Sequence, residues 1–219
     1  MWINYCGKMS SDFDINVLKI TPAVKAERRV TRLTIPGRSG SLVIDDGTYE
    51  DIAISVTLAL RDQTQVHEIK RWIGQAGDLI TSIDPTRKYK ATAYGDVVAQ
   101  HWLAKVYQMV VEFTCHPLTR DVNPESYDVT DAALYLTNDG ERAYPLIEMA
   151  SGSTVTMNGE TFTASAALTV DGENLVIYDA SGNASDKLSG DMTKWYLDTG
   201  DADVVVTGSV TIYPEWRWL

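Results

Sequence analysis

The sequence predicts a mainly β fold, a β-rich α+β chain with a single helix, and three observations carry that expectation. Short apolar runs alternate with period two, as in Ile52 to Leu60, where Ile54, Val56, Leu58 and Leu60 fall on one side. Asn158-Gly159 stands between TVTM and ETFT, and a two-residue type I′ hairpin turn needs positive φ at both of its central positions. One window alone, Gln63 to Gln75, carries a helical period.

In that window Val66, Ile69, Trp72 and Ile73 share a face, while Glu68, Lys70 and Arg71 lie elsewhere. Asp62 or Thr64 is suited to cap its start, and Gly74 and Gly77 mark its end. Four strands are expected after it, over 79–83, 88–94, 97–104 and 106–114, with Tyr94-Gly95-Asp96 as a turn. The helix is expected to pack on this sheet through its apolar face.

Upstream, Arg28 to Ile35 alternates imperfectly with basic and hydroxyl residues. Between it and Ile52 lies a long polar stretch broken by Pro36, Gly37, Gly40, Asp45, Asp46 and Gly47, with only Leu42, Val43 and Ile44 as a short strand-like core. Such a segment has little of its own to bury. It reads either as an ordinary long hairpin or as an arm that reaches a neighbouring subunit and so satisfies unpaired edge groups.

The second half is expected to be all β. Alternating runs over 133–137, 146–149, 154–157, 168–170 and 175–178, with a final pair at 204–206 and 210–213, imply a β-sandwich. Charge separates the two halves. Residues 1–121 hold 15 basic against 14 acidic side chains, and residues 122–219 hold 4 against 16. That step, with Pro124 inside it, places a domain boundary between Asp121 and Ser126, giving domains 1–121 and 126–219.

With 219 residues, 44% hydrophobic and 22% charged, the chain is long enough for two modest cores. No run approaches the roughly 18 consecutive apolar residues of a membrane helix, so no membrane insertion is expected. Polar residues from Asn4 to Asp14 interrupt any signal-peptide apolar region. Cys6 and Cys115 lack CxxC spacing and are expected to be buried free thiols within strands.

Catalytic signatures are missing from the sequence: it has no Gly-x-Ser-x-Gly, HExxH, P-loop or GxGxxG. Its three histidines, His67, His101 and His116, pair with no evident nucleophile. Leu197-Asp198-Thr199-Gly200 matches the core of an aspartic protease signature, but no second DTG or DSG supplies the partner carboxylate, so a turn is expected. The oxygen-rich stretch Asp179 to Asp186 resembles a calcium loop, yet Gly182 comes too early and Gly190 sits where a bidentate Glu belongs, so a solvated loop is expected. No enzyme activity, cofactor or metal is expected. Lys25, Arg28, Arg29, Arg32 and Arg38 read as a solvated face or as intersubunit ion pairs, and an acidic chain offers no footprint for sequence-specific nucleic acid binding.

Several short motifs occur in the order found in distal tail proteins (Dit) of long-tailed, non-contractile phages, and the chain resembles that family over nearly its whole length. They are Met1 to Gly7 (MWINYCG), Pro36 to Gly40 (PGRSG), the helix ending Arg71-Trp72-Ile73, Phe113 to Pro117 (FTCHP) and the closing segment Val210 to Leu219. The resemblance implies an N-terminal β-barrel-like domain with one helix and a long β-arm, followed by a galectin-like β-sandwich. It also implies a structural virion protein of the tail tip or baseplate, made in the host cytoplasm. Six copies would form a ring at the end of the tail tube, and Gly37, Arg38, Ser39, Gly40, Leu42, Val43 and Ile44 are the candidate interface residues of the arm. Implied partners are the tail tube protein, the tail-associated hub or fibre-like protein, the tape measure protein and a receptor-binding protein.

A second reading is a carbohydrate-binding module acting through the C-terminal sandwich on host cell-wall sugar. Sugar rings stack on exposed indoles, which makes Trp195, Trp216 and Trp218 its candidates, with Tyr196 beside them. The alternative for Trp216 and Trp218 is core or interface, since they share one face of the last strand by period two.

Overall fold

The computed structural model describes the chain except residues 23, 62–63, 96–98 and 104–105, and the side chains of residues 64 and 99–103. Two compact units follow one another, over Met1–Val122 and Asn123–Trp218. The chain is mainly β, with one α-helix among the described residues.

The first unit is organised on its longest strand pairing. Val106–Cys115 lies antiparallel to Ile52–Leu60 from Tyr107 opposite Leu60 to Cys115 opposite Ile52. Alternation then sends Met109, Val111, Phe113 and Cys115 to the same side as Ile52, Ile54, Val56, Leu58 and Leu60, and all are buried. Outward from Ile52–Leu60 comes Asn16–Ile20. On the other side follow Arg87–Thr92, Gly77–Thr81, Ile3–Tyr5 and Lys8–Met9, while Ala99–Leu103 and Arg120–Asp121 attach as side branches. Asn16–Ile20 and Lys8–Met9 end this sheet at opposite edges, so among the described residues it is open and forms no closed barrel.

The helix, Thr64–Ile73, buries Val66, Ile69, Trp72 and Ile73 in this core, the face that the apolar period predicts. Trp72 Nε1 donates to the Tyr5 carbonyl at 2.9 Å, and the Tyr5 hydroxyl lies within hydrogen-bonding reach of the carbonyls of Gln75 and Ala91. Phe13 stacks on Trp72 with 4.5 Å between ring centres. Of the caps expected at its start, Asp62 lies outside the described residues, as does part of the strand expected over 97–104 and Asp96 of the expected turn.

Cys115 is a buried free thiol at the end of its strand. Cys6 departs from expectation: it is half-buried and occupies the turn after Ile3–Tyr5 with φ +51°, because the chain reverses there to pair Tyr5 with Lys8.

The second unit is a β-sandwich. One sheet orders Tyr127–Thr130, Ser209–Tyr213, Leu146–Met149, Leu168–Asp171, Val176–Asp179 and Gly182–Asn183. The other orders Ala133–Asn138, Gly200–Thr207, Thr154–Met157, Glu160–Ala164 and Leu188–Ser189. Ile147, Val170 and Ile212 of the first sheet share one core with Val155, Phe162, Val204 and Val206 of the second. Asn158 and Gly159 both take positive φ, +52° and +77°, and join Thr154–Met157 to Glu160–Ala164 by the predicted hairpin turn. The last strand stops at Tyr213. Glu215 has φ +53°, and Arg217 returns by an isolated bridge to Glu141.

Candidate functional site: the arm hairpin

Arg28–Thr34 pairs with Ser41–Tyr49 in a two-stranded sheet that joins no other strand among the described residues. This revises the expected connectivity. Arg28 to Thr34 belongs to the arm itself, while Ile52–Leu60 enters the main sheet, so the hairpin doubles back within 28–49 instead of bridging two core strands.

Local chemistry accounts for its shape. At the tip Arg38 N donates to the Ile35 carbonyl at 3.2 Å, with Pro36 and Gly37 as the two central residues and Gly37 at φ +81°. Proline fixes the first central φ, and glycine takes the positive φ that the second requires. Near the base the register slips between Arg28 and Val30. Gly47, at φ +71°, donates its N–H to Asp45 Oδ1 at 2.8 Å within this irregular segment.

The base is tied by charge. Arg28 bonds Asp45 Oδ2 at 3.1 Å and the Tyr49 hydroxyl at 3.2 Å, and Arg29 makes a two-pronged pair with Glu50 at 2.9 and 3.1 Å. Hydrogen bonds from the Arg29 guanidinium hold the Glu50 carboxyl below its usual range. These pairs are solvent-exposed, so they set geometry more than stability. Beyond the base, Arg32 and Arg38 make no ion pair among the described residues.

Opposite residues across the ladder share a face. Thr31 with Ile44 and Leu33 with Leu42 make one face, which Ile35 extends; Val30 with Asp45, Arg32 with Val43 and Thr34 with Ser41 make the other. Val30, Leu33, Ile35, Leu42, Val43 and Ile44 are all exposed, so among the described residues this ribbon has no core beneath either face. An isolated two-stranded hairpin is marginal in water, and its apolar face gains free energy only when something covers it.

All seven expected arm residues, Gly37 to Gly40 and Leu42 to Ile44, lie on this hairpin, at the tip or on the returning strand. Sequence reasoning missed the outgoing strand's contribution from Val30, Leu33 and Ile35. Their alternation with basic residues was the available signal, since a strand with arginine between its apolar positions suits neither face of a core.

The sugar-stacking candidates fare differently. Trp195 is only 1% exposed; its Nε1 donates to the Pro145 carbonyl at 3.0 Å and its ring meets Phe162 edge-on, so no ligand reaches it. Trp216 packs against the sandwich core, and Trp218 is half-buried. In the LDTG segment the Asp198 carboxylate is held by Arg142 at 3.1 and 3.2 Å, and Arg142 also covers the Tyr196 ring. In the calcium-like loop Lys187 Nζ pairs with the Asp179 carboxylate, putting a cation where a metal would need an open ligand. No group of His, Cys, Asp or Glu among the described residues is arranged to hold a metal. No described helix is long and apolar enough to cross a membrane.

No protein-family model matches the chain, and no curated protein matches it. A solved structure does: the Dit (gp 19.1) protein of SPP1, described as a paradigm of the hub adsorption apparatus in phages infecting Gram-positive bacteria. It superposes with a TM-score of 0.77 at 13% identity, covering 100% of this chain and 99% of that one. Through both of its units, the chain has the fold of the SPP1 Dit protein.

Proposed function

We propose that this protein is a structural component of a phage tail tip, in which six copies close into a ring at the end of the tail tube. One observation carries the reading: a full-length Dit fold bears a hairpin with both faces open and an apolar stripe uncovered. In the ring the first unit makes the closed contacts, and the hairpin clasps the next subunit through Leu33, Ile35, Leu42 and Ile44, with Gly37 to Gly40 forming its tip and Val43 on the opposite face. Cyclic closure removes open strand edges and multiplies modest pairwise contacts. The ring then joins the tube above to the hub, tape measure and receptor-binding proteins below, with DNA passing through its hole. Its role is assembly and not catalysis.

Electron microscopy of the purified chain tests this. Annular particles with sixfold symmetry and a central hole are the expected result. Uniformly single-subunit particles at every concentration would count against it.

A further inference from the structure

We propose that Ala133–Asn138, at the edge of the five-stranded sheet in the second unit, is a docking site for an extended basic segment of another protein, which adds to that sheet as a further strand. The contrast among the sandwich's edges leads to it. Gly182–Asn183 and Leu188–Ser189 have two residues each, and Tyr127–Thr130 has four with Asp128 among them. Short edges and charged edge residues are the usual defences against pairing with a foreign strand. Ala133–Asn138, the remaining edge, has neither. It runs for six residues (ALYLTN) without a charge or a proline, and its register against Gly200–Thr207 is unbroken.

The ladder fixes which backbone groups are open. Val206 N donates to the Ala132 carbonyl at 2.9 Å, so Ala132, Leu134, Leu136 and Asn138 turn their backbone groups towards Gly200–Thr207. The N–H and C=O groups of Ala133, Tyr135 and Thr137 therefore point away from the sheet. No hydrogen bond beyond the ladder reaches them among the described residues. An incoming strand would satisfy them all, and such main-chain bonds are the source of affinity when a peptide extends a sheet.

Side chains define the occupant. Leu136 is buried and Leu134 packs against the sandwich core, so inward positions of the added strand favour apolar residues. The outward row is different: Tyr135 is 77% exposed and stands opposite Asp203, while the Thr137 hydroxyl donates to Asp201 opposite it. Asp203 lies two strand spacings from the added strand, about 9.5 Å at the usual 4.7–4.9 Å each, which a Lys or Arg side chain lying over the Tyr135 ring spans. Asp131 and Asp139 flank the edge at its two ends, and neither 131–139 nor 200–207 contains a Lys or Arg. Charge also disfavours a second copy of this chain. An antiparallel register centred on Tyr135 keeps the faces matched, but it brings Asp131 of each copy beside Asp139 of the other, and like charges opposite one another repel.

The inference does not depend on ring formation, and its test uses the full chain in whatever oligomeric state it adopts. The probe is the acetylated, amidated peptide Thr-Val-Lys-Val-Thr-Val-Lys-Val-Thr, with controls in which Glu replaces Lys or proline replaces the two central valines. Saturable binding of the lysine peptide is expected by calorimetry, weakening as salt is added, with the glutamate and proline peptides at least tenfold weaker. Hydrogen exchange resolved to single residues should show new protection at the Tyr135 and Thr137 amides. Tyr135→Lys is expected to weaken binding by about tenfold or more with an unchanged melting temperature. Tyr135→Pro, which deletes an outward N–H and no ladder bond, should do the same. Lack of saturable binding by the lysine peptide, equal binding of the glutamate peptide, binding without protection at Tyr135 and Thr137, or binding unchanged in Tyr135→Lys would overturn the proposal. A smaller native mass for Tyr135→Lys than for the unaltered chain, with no peptide present, would assign the edge to a second copy instead.

Discussion

Leu33 and Leu42 face each other directly across the arm hairpin, yet remain 46% and 41% exposed. A cross-strand leucine pair ordinarily lies over a core, and this one lies over solvent. Covering it would contribute about 25 cal/mol for each Å² removed from water. The pair is therefore the most economical place to separate assembly from folding. Leu33→Asp with Leu42→Asp should abolish self-association while leaving the melting temperature of the isolated subunit nearly unchanged, a shift equivalent to about 0.5 kcal/mol or less. Sedimentation velocity beside a thermal melt reads both quantities.

Trp195 fills the sandwich core against Phe162, and Gly172 is the floor it rests on. A Cβ at Gly172 would meet Trp195 Cδ1 at 2.6 Å and the Pro145 oxygen at 2.8 Å. Gly172→Ala should destabilise the second unit by about 1–3 kcal/mol through overpacking. Trp195→Ala should cost about 3–5 kcal/mol through the cavity it leaves. Urea unfolding curves of the two variants measure both.

Asn138 is 1% exposed, and its side chain pins the LDTG segment. Its Nδ2 donates to the carbonyls of Glu141 at 3.0 Å and Asp198 at 3.1 Å, and its Oδ1 accepts from Gly140 N at 2.9 Å. Asn138→Ala leaves these backbone groups short of partners and should cost about 1–3 kcal/mol. Asp198→Asn breaks only the exposed pair with Arg142 and should cost about 0–1 kcal/mol. That ordering, measured by thermal unfolding, marks the segment as a structural turn.

Burial pushes the Cys115 thiol up to about 12 from its ordinary 9.0. The folded state then holds its proton more tightly than the unfolded state does. Its contribution to stability is complete below pH 9 and falls as pH rises from about 9 towards 12. Cys115→Ala should flatten that part of the stability–pH curve, though it leaves a small cavity at every pH. Native alkylation should reach half-buried Cys6 well before Cys115, which mass spectrometry of timed digests resolves.

Much of this fold was legible because its signals are local. The Asn158-Gly159 turn depends only on which residues tolerate positive φ, and the helix face depends only on the spacing of Val66, Ile69, Trp72 and Ile73. Asn16–Ile20 went unread because it slips register between Val17 and Lys19, leaving too little period to see. Trp195 misled for a tertiary reason: it follows a short 3-10 turn in an irregular stretch, where no period announces burial. The arm was legible as a segment with little to bury, but its pairing was not. Arg28 to Thr34 resembles a poor core strand, and only the register with Ser41–Tyr49 reveals it as half of a ribbon.

The native mass of the purified protein tests the central claim most directly. One chain weighs 24.2 kDa. Closed sixfold assembly predicts a species of about 145 kDa, reduced to the single-chain mass by Leu33→Asp with Leu42→Asp. A single-chain mass for the unaltered protein at every concentration would contradict ring formation through the arm.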